Sequence, residues 1–399
     1  MNKTHVMIVA VLLFGGPPLP LPAAVWTVPD PWPVIQQAVD SCASGDTVLV
    51  APGHYLERLV IPDKTLTLAS HALLTGDTLF IPQTILDGDS LGTVIRVDTG
   101  GQHRFILDGF QIRRGVGQHW VGGGVHVTDS ADVALRRLHF TQNVSRYSGV
   151  CVYADETVET FSRPKYMLMQ HIRAYDNSTS GLSRYLLVAS SINGTRVSDV
   201  RISDMDDSGL MHVSSSDSLY VSDIYVRRAV SSGTLISAGL QSNGGLGFQE
   251  YSNITIEDCT WSNSVFVVLN GFWPGTVKNV RFMDNTQVGN RSQANRLFDV
   301  MFWGVPSHLD SLVFQRNRGV TGHSVVGEFE LRHPSDAPWH HGRLTNLIVE
   351  DCVLGDSTYT PWNSSNNYPS MLTTSKLTLE NARFVNNTVI LTPGAGTPE

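Results

Sequence analysis

Charge is scarce in this chain. Only 16 % of its 399 residues are Asp, Glu, Lys or Arg, against about 25 % in an ordinary globular domain. Coiled coils and long solvent-bridging helices need far more, so both are excluded. Basic residues are the scarcer kind, 28 Lys+Arg against 36 Asp+Glu, for a formal net charge of −8. Phosphate neutralisation needs a basic surface, which disfavours nucleic acid as a partner. Cysteine is limited to Cys42, Cys151, Cys259 and Cys352. Their wide spacing gives no tight disulfide framework, and no CxxC or Cys/His pair has metal-ligand spacing. Beyond residue 14 no apolar run reaches the ~18 residues of a membrane helix. Hydrophobic residues are plentiful at 41 %, which argues against a disordered chain.

The first 24 residues read as a signal peptide. Lys3 carries positive charge, Val6 to Phe14 is unbroken apolar sequence, and Ala23 and Ala24 follow a Pro-rich stretch. A run that short suits a signal core and not a membrane span. The expectation is bacterial-type export to the medium or cell surface, with no membrane span once the signal is removed. Residues 25–50 then form a cap and first strand, 51–391 a repeat region, and 392–399 a flexible tail or truncated end.

The repeat region has one recurrent pattern: apolar, polar, apolar, two mostly polar residues, then a compact residue. Ten copies start at Phe110, Leu138, Ile172, Val200, Ile224, Ile254, Val280, Leu312, Leu347 and Ala382, and the first and third positions are apolar in all ten. The intervals vary from 24 to 35 residues with a mean near 30. Strict alternation is a strand with one buried face. Further short strands, often opened by Gly, follow at Gly124, Gly149 and Gly209. Such units cannot bury themselves alone, and coiling stacks each on its equivalent in the next turn. A sandwich or propeller would show steadier spacing and more hairpin signals. The sixth position holds Asn143, Asn177, Asn285, Asn317 and Asn387, with Cys259 and Cys352 in two copies. Stacked amides at one corner would satisfy one another and the turn backbone. Cys259 and Cys352 then lie three coils apart, about 14 Å at one strand spacing per coil, too far for a disulfide.

The segment before the repeats carries a family resemblance. Val34-Ile-Gln-Gln-Ala-Val-Asp-Ser-Cys42 places Ile35, Ala38, Val39 and Cys42 at helical spacing, and Gly45-Asp-Thr-Val-Leu-Val-Ala-Pro-Gly-His-Tyr55 follows. This resembles the N-terminal cap and first coils of the pectate-lyase-like right-handed parallel β-helix superfamily. Thr84-Ile-Leu-Asp-Gly88 and Gly122-Gly-Gly-Val-His126 are similar to coil sequences of that group. The resemblance implies an all-β, single-stranded right-handed parallel β-helix of eleven or twelve coils with a short helical cap. It does not select a reaction, since the superfamily spans lyases, hydrolases, esterases, epimerases and adhesins. Its enzymes work on one outer face, in a groove lined by strand residues and loops.

Outward positions of the middle repeats supply the candidate residues. The second position stacks Arg173, Arg201 and Tyr225, and the fourth sets Tyr175, Ser203 and Arg227 alongside. Arg201, Tyr225 and Arg227 are candidate catalytic groups for β-elimination on an acidic sugar, with Arg173, Tyr175 and His212 as substrate contacts. Asp206 and Asp207 are an alternative acid–base pair for hydrolysis, or oxygen ligands for Ca²⁺. Solvated strand and turn residues are the bland alternative for each. Gly-His-Gly, Arg-Ile-Lys and Arg-X-Pro-X-X-Arg are all absent, so the known catalytic signatures are not intact. Trp120, Trp261, Trp273, Trp303, Trp339 and Trp362 fall near expected loops, where they either stack on sugars or anchor the loops. The functional expectation is an exported protein binding polysaccharide or cell-surface glycan. The alternative is a polysaccharide lyase or glycoside hydrolase acting on an acidic polymer.

Overall fold

A computed structural model describes residues 23–389, except 99–102, 118–121, 129–131, 147, 155–165, 180–184, 206–208, 232–233, 241–246, 263–264, 272–274, 289–294, 303–306, 320–323, 332–341, 355–369 and 376. Residues 1–22, which hold most of the expected signal segment, Asp206, Asp207 and all the tryptophans named above except Trp261 lie outside the described residues.

The chain is a single-stranded parallel β-helix. Strand pairs run parallel from Val25–Val28 on Thr47–Val50 to Val353–Leu354 on Thr388–Val389. Connections between parallel strands of one sheet are right-handed, so the coil winds right-handed. Each full turn visits three faces. Face 1 stacks segments such as Val125–Val127 on Val152–Ala154. Face 2 stacks residues 133–136 on 167–170, then on 195–198, 219–222 and 249–252. Face 3 stacks the sequence repeat itself, with Leu138, Ile172, Val200, Ile224, Ile254, Val280, Leu312 and Leu347 in one register. A two-residue strip follows, as in Val116–Gly117 on Val144–Ser145. Face 2 holds thirteen stacked rungs, counting the edge strand Val25–Val28 and ending at Leu377–Glu380. That is slightly more than the sequence reading gave.

Faces 2 and 3 belong to one strand bent by a single residue. In Tyr166–Tyr175 and Phe248–Glu257 the buried positions are the second, fourth, seventh and ninth. The break in alternation falls on His171 (φ 56°) and Asn253 (φ 55°), both left-handed. A left-handed residue adds one step to the chain and restarts the alternation on a new face. Asn and Asp tolerate this conformation best, and Asp199, Asp223, Asn253, Asn279, Asn346 and Asn381 occupy that column. A second left-handed column immediately precedes the sixth position of each repeat, at Arg114, Gln142, Asp176, Asp204, Arg228, Asp258, Asp284, Arg316, Asp351 and Asn386.

The expected amide ladder is present in two runs. Asn143 Nδ2 donates to Asn177 Oδ1 at 3.0 Å, and Asn285 Nδ2 donates to Asn317 Oδ1 at 3.0 Å. The same oxygens accept from the Asn143 and Asn285 backbone N–H groups. Met205 and Ala229, the sixth residues of the copies that start at Val200 and Ile224, interrupt the ladder with buried apolar side chains. All four cysteines are buried free thiols. Cys259 and Cys352 sit in the ladder as expected: the Cys259 N–H donates to Asn285 Oδ1, and the Cys352 N–H to Asn387 Oδ1. Burial pushes the Cys259 thiol up to about 12, so it stays protonated and inert.

The core is one apolar column running the length of the coil, including Phe282 and Phe314 stacked at 5.2 Å. Helix α1 (Ile35–Ser41) closes its N-terminal end with Ile35, Ala38 and Val39 buried. The Glu57 carboxylate accepts from the Ile35 and Gln36 N–H groups at 2.9 and 3.0 Å. It thereby satisfies two helix-end donors and complements the helix dipole.

Candidate functional site

The face 3 residues named from sequence do come together. Arg173, Arg201 and Tyr225 are in register on successive rungs, and Arg227 lies one rung below Glu257. Their side chains are occupied by acidic neighbours. Arg173 donates to Asp199 Oδ2 at 3.1 Å and to the Asp199 carbonyl at 2.9 Å. His171 Nδ1 lies 2.5 Å from the same carboxylate, and Arg201 Nε 3.8 Å from its other oxygen. Burial raises the Asp199 carboxyl, but the hydrogen bonds from Arg173 and His171 outweigh it and leave the group below its ordinary value. Tyr225 donates to Glu257 Oε1 at 2.5 Å, and Arg227 lies 3.4 Å from that oxygen. The hydrogen bond to Glu257, reinforced by burial, holds the Tyr225 phenol above its ordinary value. The stacked arginines are therefore not a bare positive patch but the cationic half of an ion-pair network. His212 is on face 1, in register with Val188 and Ser237 and packed on Tyr185 at 5.2 Å, so it does not share a face with the others.

Left-handed arginines extend this network along the corner beside face 3. Arg228 pairs with Asp204 and Arg316 with Asp284, each at 2.6 or 2.7 Å across one coil. The densest node is in the first coils. Asp87, its side chain fully buried, receives His54 Nε2 at 2.6 Å, Arg113 Nε at 2.9 Å and Arg114 Nε at 2.7 Å. Burial raises the Asp87 carboxyl, but these donors and the Asp89 N–H overcome it and hold the group far below the carboxylate range. Among the described residues no group of three or more His, Cys, Asp or Glu could hold a metal ion.

The site missed from sequence is on face 2. A cleft of ≈ 350 Å³ is lined by Arg104, Asp132, Tyr166, Arg196, Ser218 and Tyr220 among others. Arg196 and Tyr220 also line a second hollow of ≈ 200 Å³ that continues past Glu250. Tyr166 is 57 % exposed and Phe248 46 %. Both occupy one outward column, Tyr166–Gly194–Ser218–Phe248. A Cβ on Gly194 would sit 2.7 Å from the Tyr166 ring, so only glycine lets that ring lie against the backbone. In the next column the Arg196 guanidinium is 4.6 Å from the Tyr220 ring centroid. Tyr220 in turn packs on Phe248 at 5.6 Å. The result is a groove with aromatic walls, a small-residue floor and a guanidinium fixed by a cation–π contact. Trp261, by contrast, is 3 % exposed and stacks on Phe266 at 4.7 Å; it is core and no ligand platform.

No family model matches the chain, and no curated protein matches it. Among solved structures it is similar to Escherichia coli YbhC, at 12 % identity over 98 % of this chain and 88 % of that one, with a TM-score of 0.22. It is also similar to the family 28 exopolygalacturonase of Yersinia enterocolitica, at 10 % identity over 94 % and 79 % of the two chains, with a TM-score of 0.24. No helix among the described residues is long and apolar enough to cross a membrane.

Proposed function

We propose that the protein is an exported or cell-surface glycan-binding β-helix, with the sugar seated in the face 2 groove. One observation carries this reading. Tyr166 stands half-exposed in the wall of a cleft that Tyr220 also lines, and the half-exposed Phe248 packs on Tyr220 beside it. Aromatic rings in that position stack on the apolar faces of sugar rings, while Arg196, Asp132, Ser218 and Glu250 offer donors and acceptors for hydroxyls. Other strands also leave single apolar side chains exposed, such as Val60, Val230 and Phe384, but here two aromatic rings are grouped beside a cleft, and such a grouped patch suits a ligand. The lyase or hydrolase alternative has less support. Its proposed Tyr225 is a committed donor to Glu257, Arg173 and Arg227 are paired with Asp199 and Glu257, and Arg201 shares Asp199 at 3.8 Å.

The test is a panel of immobilised plant, bacterial and animal glycans probed with the whole chain, with and without Ca²⁺. Reducing ends and ultraviolet absorbance of unsaturated products are followed in parallel. Binding that is lost in Tyr220→Ala, without cleavage, is the expected result. Cleavage that survives Tyr220→Ala and disappears in Arg201→Ala would replace this reading with the enzymatic one.

A further inference from the structure

We infer that the face 2 groove takes an uncharged oligosaccharide lying along the axis of the coil, long enough to touch Tyr166 and Phe248 at once. This rests on the glycan-binding reading and specifies its ligand. The direction follows from register. Tyr166 and Phe248 share one outward column and are three rungs apart, with Gly194 and Ser218 between them. At one strand spacing per rung their Cα atoms are about 14 Å apart, and the Tyr166 ring leans over Gly194 while the Phe248 ring packs on Tyr220. The column between them carries only Gly194 and Ser218, so no large side chain of that column separates the rings along the axis. Across the axis it is flanked by Arg196 and Tyr220, which pack on each other. A ligand aligned with the strands would cross one ring only. One aligned with the axis crosses both, and it must be longer than a single sugar unit to do so.

The absence of charge follows from the lining. Arg104 and Arg196 face the cleft and its continuation together with Asp132 and Glu250. Two cations and two carboxylates leave no net charge to hold a polymer with an acidic group on every sugar. The carboxylates would oppose such a chain at close range. They suit a polyol instead, because a carboxylate accepts from hydroxyls and offers no donor. Arg196 cannot swing freely toward an acidic substituent without leaving the Tyr220 ring.

The test is isothermal titration of the whole chain with two length series. One is neutral, the cello-, xylo-, manno- and malto-oligosaccharides from disaccharide to hexasaccharide. The other is the oligogalacturonides of the same lengths. A neutral series should bind with affinity that rises with length and then levels off. Tyr166→Ala and Phe248→Ala should each lower hexasaccharide affinity about tenfold, the upper end for an aromatic contact. Tyr166→Phe keeps the ring and should retain binding. The pair Asp132→Asn with Glu250→Gln should shift preference toward oligogalacturonides. Equal thermal midpoints would confirm that the variants fold. Oligogalacturonides binding more tightly than every neutral series, or a disaccharide binding as tightly as its hexasaccharide, would overturn this inference and leave glycan binding standing. No binding in either series or on the glycan panel would overturn both.

Discussion

Face 2 and face 3 are two halves of the same strands, and they use their outward positions in opposite ways. In Tyr166–Tyr175 the left-handed His171 divides them. On one side Tyr166 stands half-exposed and shields only the backbone of Gly194. On the other, Arg173 is tied to Asp199 by two hydrogen bonds. The charged half carries the displaced pKa values, and it is the half whose groups are already satisfied. Perturbed titration often marks a functional site, but here it marks the scaffold. The aromatic half has few perturbed groups and two grouped, half-exposed rings, and the proposed glycan site rests on those rings.

The strongest way to break this contrast is to remove the most heavily used carboxylate. Asp87→Ala strands His54, Arg113 and Arg114 around a buried hole. Breaking a buried pair costs about 3–5 kcal/mol, and the lower end applies because both arginines are partly exposed. The expected result is a large fall in denaturant midpoint with glycan affinity unchanged in the folded fraction. A stable Asp87→Ala protein would show that the face 3 charges are not structural and reopen them as a site.

Acid sharpens the comparison by separating the faces. Asp87 is depressed in the folded state, so its stabilisation is present above its unfolded value of 3.8 and is lost as pH falls below that. Face 1 contributes a second window through His126, which is 5 % exposed with both ring nitrogens unpartnered among the described residues. Burial lowers this imidazole from 6.5 to about 4. The unfolded chain therefore binds the proton first, and stability falls as pH drops from 6.5 to about 4. A shift of that size is worth about 3 kcal/mol. His126→Phe should flatten this upper window and leave the lower one intact, measured as thermal midpoint against pH. Tyr166→Ala should change neither window.

How much of this was legible in the sequence follows the same division. The core column and the ladder were readable because each coil must give the same answer at those positions. An inward residue has to be apolar, and a buried corner amide needs its equivalent above and below, so Asn143, Asn177, Asn285 and Asn317 recur whatever the loops do. The helical cap was readable for the same reason: Ile35, Ala38 and Val39 have one place to be buried. Face 2 was not readable. Its inward positions include Thr195 and Gln249, both buried, which spoil the alternation that a strand search relies on. Its groove is assembled from residues that meet only through stacking. One signal was available: six residues before the first apolar position of four successive repeats stand Tyr166, Gly194, Ser218 and Phe248. Extending the repeat backwards would have aligned them. The charged face misled because sequence shows that Arg173, Arg201 and Tyr225 stack with Arg227 alongside, but not that Asp199 and Glu257 reach them.

The smallest effect tests whether exposed corner pairs belong with the scaffold at all. Asp204 and Arg228 are each 46 % exposed and bond through two hydrogen bonds across one coil. The Arg228 hydrogen bonds, helped by Ser203, lower the Asp204 carboxyl to about 2. Exposure screens the pair, so Asp204→Asn should cost about 0.5 kcal/mol and at most about 1. The backbone should not object, since Asn accepts the left-handed conformation that Asp204 holds at φ 56° as readily as Asp does. The cost should shrink further in high salt, read as a denaturant midpoint at two ionic strengths. A loss as large as that of Asp87→Ala would mean that the corner column acts as one cooperative unit along the coil. Gradation from Asp87 to Asp204 would instead show that burial sets the worth of each pair, which is what distinguishes the first coils from the middle ones that carry the groove.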